Sequence, residues 1–224
     1  MSLWISDADA VADADLQRYR GWLTASEMAR HQRFVRAQRQ RQFIVGRVLL
    51  RAALGRLLGA MPQEIRLEEQ IGKAPRLAAP VPKNGAPGFS IAHSGRWVAC
   101  AVSAHTALGL DIELRDATRD LPALAAQAFE ADEMAQWARI QHLPGDERTD
   151  GFYRLWSEKE ARFKLGAAGA LRGRAACRAV GGGVQRTAAG AAAADRAGQA
   201  AVTRTATATA SSTGRAAAAW RPGC

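Results

Sequence analysis

From Arg172 to the C-terminus the chain contains no Leu, Ile, Met, Phe or Tyr. Val180, Val184, Val202 and Trp220 are the large apolar residues of that stretch, and Ala, Gly, Arg and Thr fill most of the rest. It includes two Ala-Ala-Ala-Ala runs and a Thr-Ala-Thr-Ala-Thr-Ala stretch. Such a segment buries too little apolar surface to offset the ~1–2 kcal/mol per residue lost on ordering its backbone. Any core must therefore be built from residues 1–171. The composition predicts a disordered tail over 172–224. Ala/Gly/Arg/Thr runs of this kind are what a shifted reading frame in GC-rich coding sequence yields; the alternative is a genuine basic extension.

The tail also carries most of the charge. The formal net charge is +10 at pH 7. From Leu171 onward there are eight Arg, no Lys and one acid, Asp195, so seven of the ten charges lie there and the body is only mildly basic. A nucleic-acid reading would rest on the tail alone, without aromatic interleaving or a recognisable module, so no nucleic-acid partner is expected. The three cysteines, Cys100, Cys177 and Cys224, form neither a CxxC nor a His/Cys cluster, which argues against a zinc site and a disulfide framework. The N-terminus lacks the basic start and apolar run of a signal peptide, and no segment approaches ~18–20 uninterrupted apolar residues. A cytoplasmic location without membrane contact is the default.

Within the body, residues 3–5 read as a short strand. Thr24-Ala-Ser-Glu27 has capping-box spacing and opens a long helical stretch to about Leu58, ended by Gly59. Phe43, Ile44, Val48, Leu49, Leu54, Leu57 and Leu58 give that stretch a buried stripe, while its arginines, Arg30 to Arg56, decorate much of the remainder. Short strands are predicted at 65–67, 89–92, 97–103 and 109–113, with Pro/Gly-rich punctuation at 80–88. Helices follow over about 121–128, 130–141 and 150–165. The fold class is α+β.

Two segments carry chemistry. In the strand Gly109-Leu-Asp-Ile-Glu113, side chains alternate, so Asp111 and Glu113 share one face while Leu110 and Ile112 face the core. In the helix Phe152–Lys164, Glu160 and Lys164 are one turn apart, at the edge of an apolar arc of Phe152, Leu155, Trp156 and Phe163. Three carboxylates and a lysine can meet at such a strand–helix junction. Mg²⁺ favours a few carboxylates plus phosphate oxygens, so the set suits a metal holding a phosphate substrate. Each part has a plainer reading: strand-end acids facing solvent, a surface i, i+4 pair, or, for His93 before Gly95, a turn histidine.

Gly-Leu-Asp-Ile-Glu followed by Trp156-Ser-Glu-Lys-Glu-Ala-Arg-Phe-Lys164 resembles the paired signature of the 4′-phosphopantetheinyl transferases, specifically the large, surfactin-synthetase-activating type. Phe89-Ser-Ile-Ala-His-Ser-Gly-Arg-Trp97 and Gly72-Lys-Ala-Pro-Arg-Leu77 resemble two further segments of that family, in its order. The resemblance covers residues 1–171. It implies two related α+β halves with the site at their interface: an N-terminal half over 1–105, the start of a C-terminal half over 106–171, and then the tail, 172–224, with the second half incomplete.

By the same resemblance, the reaction moves 4′-phosphopantetheine from coenzyme A to a serine of an apo acyl or peptidyl carrier protein, in a Mg²⁺-dependent way, releasing adenosine 3′,5′-bisphosphate. Asp111, Glu113 and Glu160 would hold Mg²⁺. Glu160, Lys164 and His93 would be catalytic. Arg30, Gly72, Lys73, Pro75, Arg76, His93, Ser94, Asp111 and Lys164 would bind coenzyme A. Ala74 separates Lys73 from Pro75, unlike the family's Gly-Lys-Pro, so either Lys73 or Arg76 could supply the charge there. The enzyme would act as a monomer. The alternative is a non-catalytic remnant that binds coenzyme A or a carrier protein weakly.

Overall fold

The computed structural model describes residues 1–83 and 85–167, together with the backbone strands at 175–177, 185–186 and 205–211. Five strands build the first half: β1 (Ser2–Asp7), β2 (Arg66–Gln70), β3 (Lys73–Ala79), β4 (Gly88–Ser94) and β5 (Trp97–Ser103). Three helices accompany them, α1 (Asp13–Arg20), α2 (Ala25–Gln32) and α3 (Ala37–Leu58). β5 is central, antiparallel to β1 with Trp4 opposite Cys100 and to β4 with Ile91 opposite Cys100.

Its alternation decides what covers each face. Val98, Cys100 and Val102 pack with Leu50 and Leu54 of α3, whereas Ala99 and Ala101 pack with Leu108, Leu110 and Ile112. These three sit on β6 (Ala107–Glu113), the first strand of the second half. The apolar face expected for Leu110 and Ile112 is therefore the one observed.

Thr24 does form the expected capping box with Glu27. The predicted single helix to Leu58 is nevertheless two. Arg33 ends α2 and Arg36, in extended conformation, caps α3. The side chain of Gln40 donates to the carbonyl of Phe34 at 2.7 Å, and the Phe34 and Phe43 rings meet at 5.5 Å, which holds the turn between the helices. Nor are the arginines all a solvated face. Arg47 and Arg51 are buried because carboxylates follow them inside.

β2 and β3 form a separate antiparallel ribbon, turning at Gly72, whose φ of 69° is a left-handed conformation that suits glycine. The turn is short, and Pro75 and Arg76 lie beyond it inside β3.

Beyond β6 come α4 (Leu121–Ala128), α5 (Ala131–Ile140) and α6 (Gly145–Ala167). Leu121, Ala125, Phe129 and Trp137 close over Phe152, Tyr153 and Leu155 of α6 as a small core of their own. Phe163 does not belong to that apolar arc. It is 73% exposed, because the face of α6 that it occupies turns toward an open cavity.

α6 lies hard against β6. A Cβ on Gly109 would sit 1.8 Å from the carbonyl oxygen of Ala161 and 2.9 Å from the amide nitrogen of Leu165. The glycine is what permits this approach.

Within 172–224 the described residues are three strands: β7 (Ala175–Cys177), β8 (Gln185–Arg186) and β9 (Thr205–Ser211). β9 runs antiparallel to β6, pairing Glu113 with Thr205 and Ala107 with Ser211, and β7 pairs with β9. β8 adds to β1 in parallel. Composition predicted no regular structure here; the Thr-Ala alternation of 205–210 has the period of a strand, and Thr favours one. The remainder of the tail, and the expectation about its order and origin, lies outside the described residues.

Candidate active site

A cavity of about 1010 Å³ opens between the two halves. α2 and α3 contribute Arg30, Arg33, Arg39 and Arg47, the β2–β3 turn contributes Gly72 and Lys73, β4 contributes His93, and α6 contributes Phe163 and Lys164. Among the described residues six cations thus face one space, with Glu69 as the carboxylate beside them. Phe34 and Phe43 supply aromatic surface on the same wall. Nothing about a solvated surface calls for six cations around one concavity. A ligand with several phosphates does, because charge-assisted hydrogen bonds to phosphate oxygens are about twice as strong as neutral ones.

The cations are held from behind. Glu69 accepts from Arg30 at 2.6 Å and from Arg47 Nε at 3.0 Å. Arg47 Nε also lies 3.3 Å from Glu27, which takes two bonds from Arg51, at 3.0 and 2.5 Å. Glu27 and Arg51 are both 0% exposed. This chain of alternating charges ties α2 to α3 and aims Arg30 and Arg47 at the cavity. Arg47 also stacks over Phe43, 4.6 Å from the ring centre.

His93 faces solvent at the cavity wall, with Arg39 Nη1 2.6 Å from Nε2 and 2.9 Å from Nδ1. Desolvation, then the Arg39 guanidinium and Lys164, depress its pKa to about 4. Much of the ring is open to water, which softens the first of these causes; the Arg39 contact sets the direction independently. The imidazole is neutral near pH 7. Gln42 donates to the carbonyl of Gly95 and so ties α3 to the turn that follows His93.

On the other side, Asp111 is buried, and Lys164 Nζ donates to its Oδ1 at 2.7 Å and to the Leu110 carbonyl at 3.1 Å. Among the described residues, Asp111 Oδ2 is buried without a hydrogen-bond partner. Glu113 accepts from the Ser94 hydroxyl at 2.9 Å, and burial raises its pKa, opposed by that hydrogen bond and reinforced by Asp111.

Residues 12–105 match the family of N-terminal regions of 4′-phosphopantetheinyl transferases, and residues 107–204 match the 4′-phosphopantetheinyl transferase superfamily. The chain belongs to the 4′-phosphopantetheinyl transferase superfamily. The second match continues past residue 171, where the motif resemblance ended. The transferase HetI of Nostoc sp. is 31% identical over 152 residues, 68% of this chain and 62% of that protein. A 4′-phosphopantetheinyl transferase of Bacillus subtilis is 30% identical over 148 residues, 66% of this chain and 61% of that protein. The transferase Sfp of Bacillus subtilis strain 168 is 28% identical over 148 residues, 66% and 62% respectively. The chain spans about three fifths of the length of the curated relatives it matches, between 57% and 63%.

In this transferase-family chain the cavity collects Arg30, Gly72, Lys73, Pro75, His93 and Lys164 of the residues expected to bind coenzyme A. Ser94 is not among its lining residues; its hydroxyl donates to Glu113 and accepts from the amide of Leu114 at 3.0 Å. Arg76 also lies off the cavity, paired with Glu68 on β2, which leaves Lys73 as the cation of that turn. Asp111 and Glu113 share a face of β6, and Glu160 is half-buried on α6 one turn before Lys164. Among the described residues the three carboxylates are not drawn into a group able to hold a metal. The β6 pair, with the orphaned Oδ2 of Asp111, does fit Mg²⁺ in its usual manner of one or two carboxylates plus substrate phosphate oxygens.

Sequence reasoning missed Arg33, Arg39, Arg47 and Glu69 as residues of the cavity. Arg39, in the first turn of α3, had a signal, since a cation at a helix N-terminus opposes the helix dipole and needs another reason to be there.

Proposed function

We propose that the chain transfers 4′-phosphopantetheine from coenzyme A to the serine hydroxyl of an apo acyl or peptidyl carrier protein. The observation that carries this reading is the six-cation cavity, one of whose cations, Lys164, is bonded to Asp111 of β6. Coenzyme A brings a pyrophosphate and a 3′-phosphate, so it needs several cations at once. Arg30, Arg33 and Lys73 bind and orient the nucleotide phosphates. Arg39 and Lys164 stabilise the charge that develops as the phosphoanhydride bond breaks. His93, neutral beforehand, donates one hydrogen bond to a phosphate oxygen.

Glu160 takes the serine proton as the hydroxyl attacks the β-phosphorus, and adenosine 3′,5′-bisphosphate leaves. Asp111 and Glu113, with Glu160 as a third ligand, would hold Mg²⁺, which when bound neutralises the pyrophosphate. Arg36, exposed two residues beyond Phe34 of the cavity wall, extends the basic surface into solvent, where it would steer an acidic carrier protein. The protein acts as a cytoplasmic monomer in this reading.

Incubating the full chain with coenzyme A, Mg²⁺ and apo carrier protein tests it by intact-mass spectrometry. A carrier heavier by one phosphopantetheine group is the expected result; no gain on any acyl or peptidyl carrier refutes transfer. The shortness of the chain against its relatives favours one second reading, a remnant that binds coenzyme A without turnover. Calorimetric binding of coenzyme A with no carrier modification would support it.

A further inference from the structure

Lys164 stands with one foot in each part of the site. Its side chain lines the cavity, yet its ammonium is bonded to Asp111 Oδ1 and the Leu110 carbonyl of β6. The other oxygen of the same buried carboxylate has no partner among the described residues. A buried carboxylate with one satisfied oxygen is incompletely compensated, and a second cation at Oδ2 would complete it. An ammonium at Oδ1 repels that second cation, however, since like charges a few ångströms apart cost several kcal/mol wherever water is partly excluded.

The lysine can move without the helix moving. Gly109 seats the α6 backbone directly on β6, so an exchange of partner needs only rotation of a four-carbon stem whose side chain is 31% exposed. The competing attraction lies in the cavity, where a phosphate group would offer an ammonium more than one charged oxygen.

We infer that Lys164 is a place-holder for the divalent cation at Asp111, which it yields when a phosphate in the cavity draws its ammonium away. Metal and nucleotide consequently bind cooperatively, each removing an obstacle to the other, and by linkage the coupling is equal in both directions. The inference rests on the reading of the cavity as a coenzyme A pyrophosphate site.

Mn²⁺ titrated into the full chain without nucleotide, with free ion read by electron paramagnetic resonance, tests this. Lys164→Met is expected to bind Mn²⁺ about tenfold more tightly than the wild type, within the ~5–150-fold span of ordinary coupling. Lys164→Arg, which keeps the charge, stays near the wild type. Asp111→Asn placed in the Lys164→Met background cancels the gain. Added coenzyme A, corrected for the Mn²⁺ it binds in solution, tightens the ion more in the wild type than in Lys164→Met.

Equal or weaker Mn²⁺ binding by Lys164→Met overturns the inference, as does equal tightening by Lys164→Arg. If Lys164→Met loses its cooperative thermal transition, Lys164→Gln carries the same expectation. Carrier modification by the wild type is measured separately. Transfer combined with unchanged Mn²⁺ affinities would sink the exchange and leave the transferase reading standing; absence of both transfer and any coenzyme A effect would sink the reading itself.

Discussion

Replacing Gly109 by alanine puts the packing of α6 on β6 to a direct test. The added Cβ would lie 1.8 Å from a backbone oxygen and 2.9 Å from a backbone nitrogen of α6, where real Cβ contacts stay beyond 3.0 Å. Neither neighbour is the tip of a flexible side chain, so the helix as a whole must withdraw by roughly an ångström or the strand must bend. Overpacking of this kind costs about 1–3 kcal/mol, and a clash with backbone belongs at the upper end. For a chain of this size each kcal/mol lowers Tm by roughly 2–4 °C, so Gly109→Ala is expected to melt about 6–10 °C below the wild type. The same withdrawal carries Lys164 off Asp111, and misplacement on that scale can cost about 10²-fold in rate. Differential scanning calorimetry and the carrier-modification assay read the two effects. Gly59→Ala is the comparison, because a Cβ there meets nothing within 4 Å and the cost is limited to its left-handed φ of 68°. A Gly109→Ala protein with unchanged Tm and rate would refute the close approach and the positioning drawn from it.

Other consequences are smaller in scope. Arg51→Met leaves the Glu27 carboxylate buried without its main partner and should cost about 3–5 kcal/mol in denaturant unfolding, whereas the double variant Glu27→Leu with Arg51→Met should cost less than that single change. Arg39→Met removes the cation beside His93, so the imidazole, titrating near 4 in the wild type, should titrate higher by nuclear magnetic resonance; an unmoved titration would show that desolvation alone sets it. Because the folded-state pKa of His93 is depressed, its contribution to stability is complete above about 6.5 and is lost as pH falls toward 4. His93→Gln should therefore flatten stability against pH in that window. Lys73→Ala should weaken transfer less than Asp111→Ala in steady-state kinetics, since Lys73 is one of six cavity cations while the orphaned oxygen of Asp111 has no substitute.

The parts legible in the sequence were those with a local rule. Thr24 and Glu27 announced a helix start through three-residue spacing, and Leu110 and Ile112 announced a buried strand face through period two. The break between α2 and α3 had no such rule. It depends on Gln40 reaching back to the Phe34 carbonyl, and no glycine or proline marks the place. The buried Arg47 and Arg51 read as surface charge because their partners, Glu69 and Glu27, lie 22 and 24 residues away. Of the proposed site, Asp111, Glu113, Glu160 and Lys164 could be named as candidates from residue type and spacing. Which of them touch could not be read there, since the Lys164–Asp111 pair spans 53 residues and depends on how deeply one glycine lets a helix settle. Ser94 shows the converse: its place in a motif suggested a ligand, while the backbone beside it needed an acceptor.

That need extends to Ser90, whose hydroxyl accepts from the amide of Leu110 at 3.0 Å as Ser94 accepts from Leu114. The two serines are four residues apart on β4, and the two amides are separated by the same interval just along and beyond β6. Equal intervals on two edges behave like matched notches. They admit one alignment of β4 against β6 and resist its slipping by a residue pair, which would strand buried amides without acceptors. The cations of α2, α3 and β3 and the carboxylates of β6 belong to opposite sides of that seam. The spacing between the opposing charges of the site is thus gauged by two small hydroxyls that need never touch a substrate.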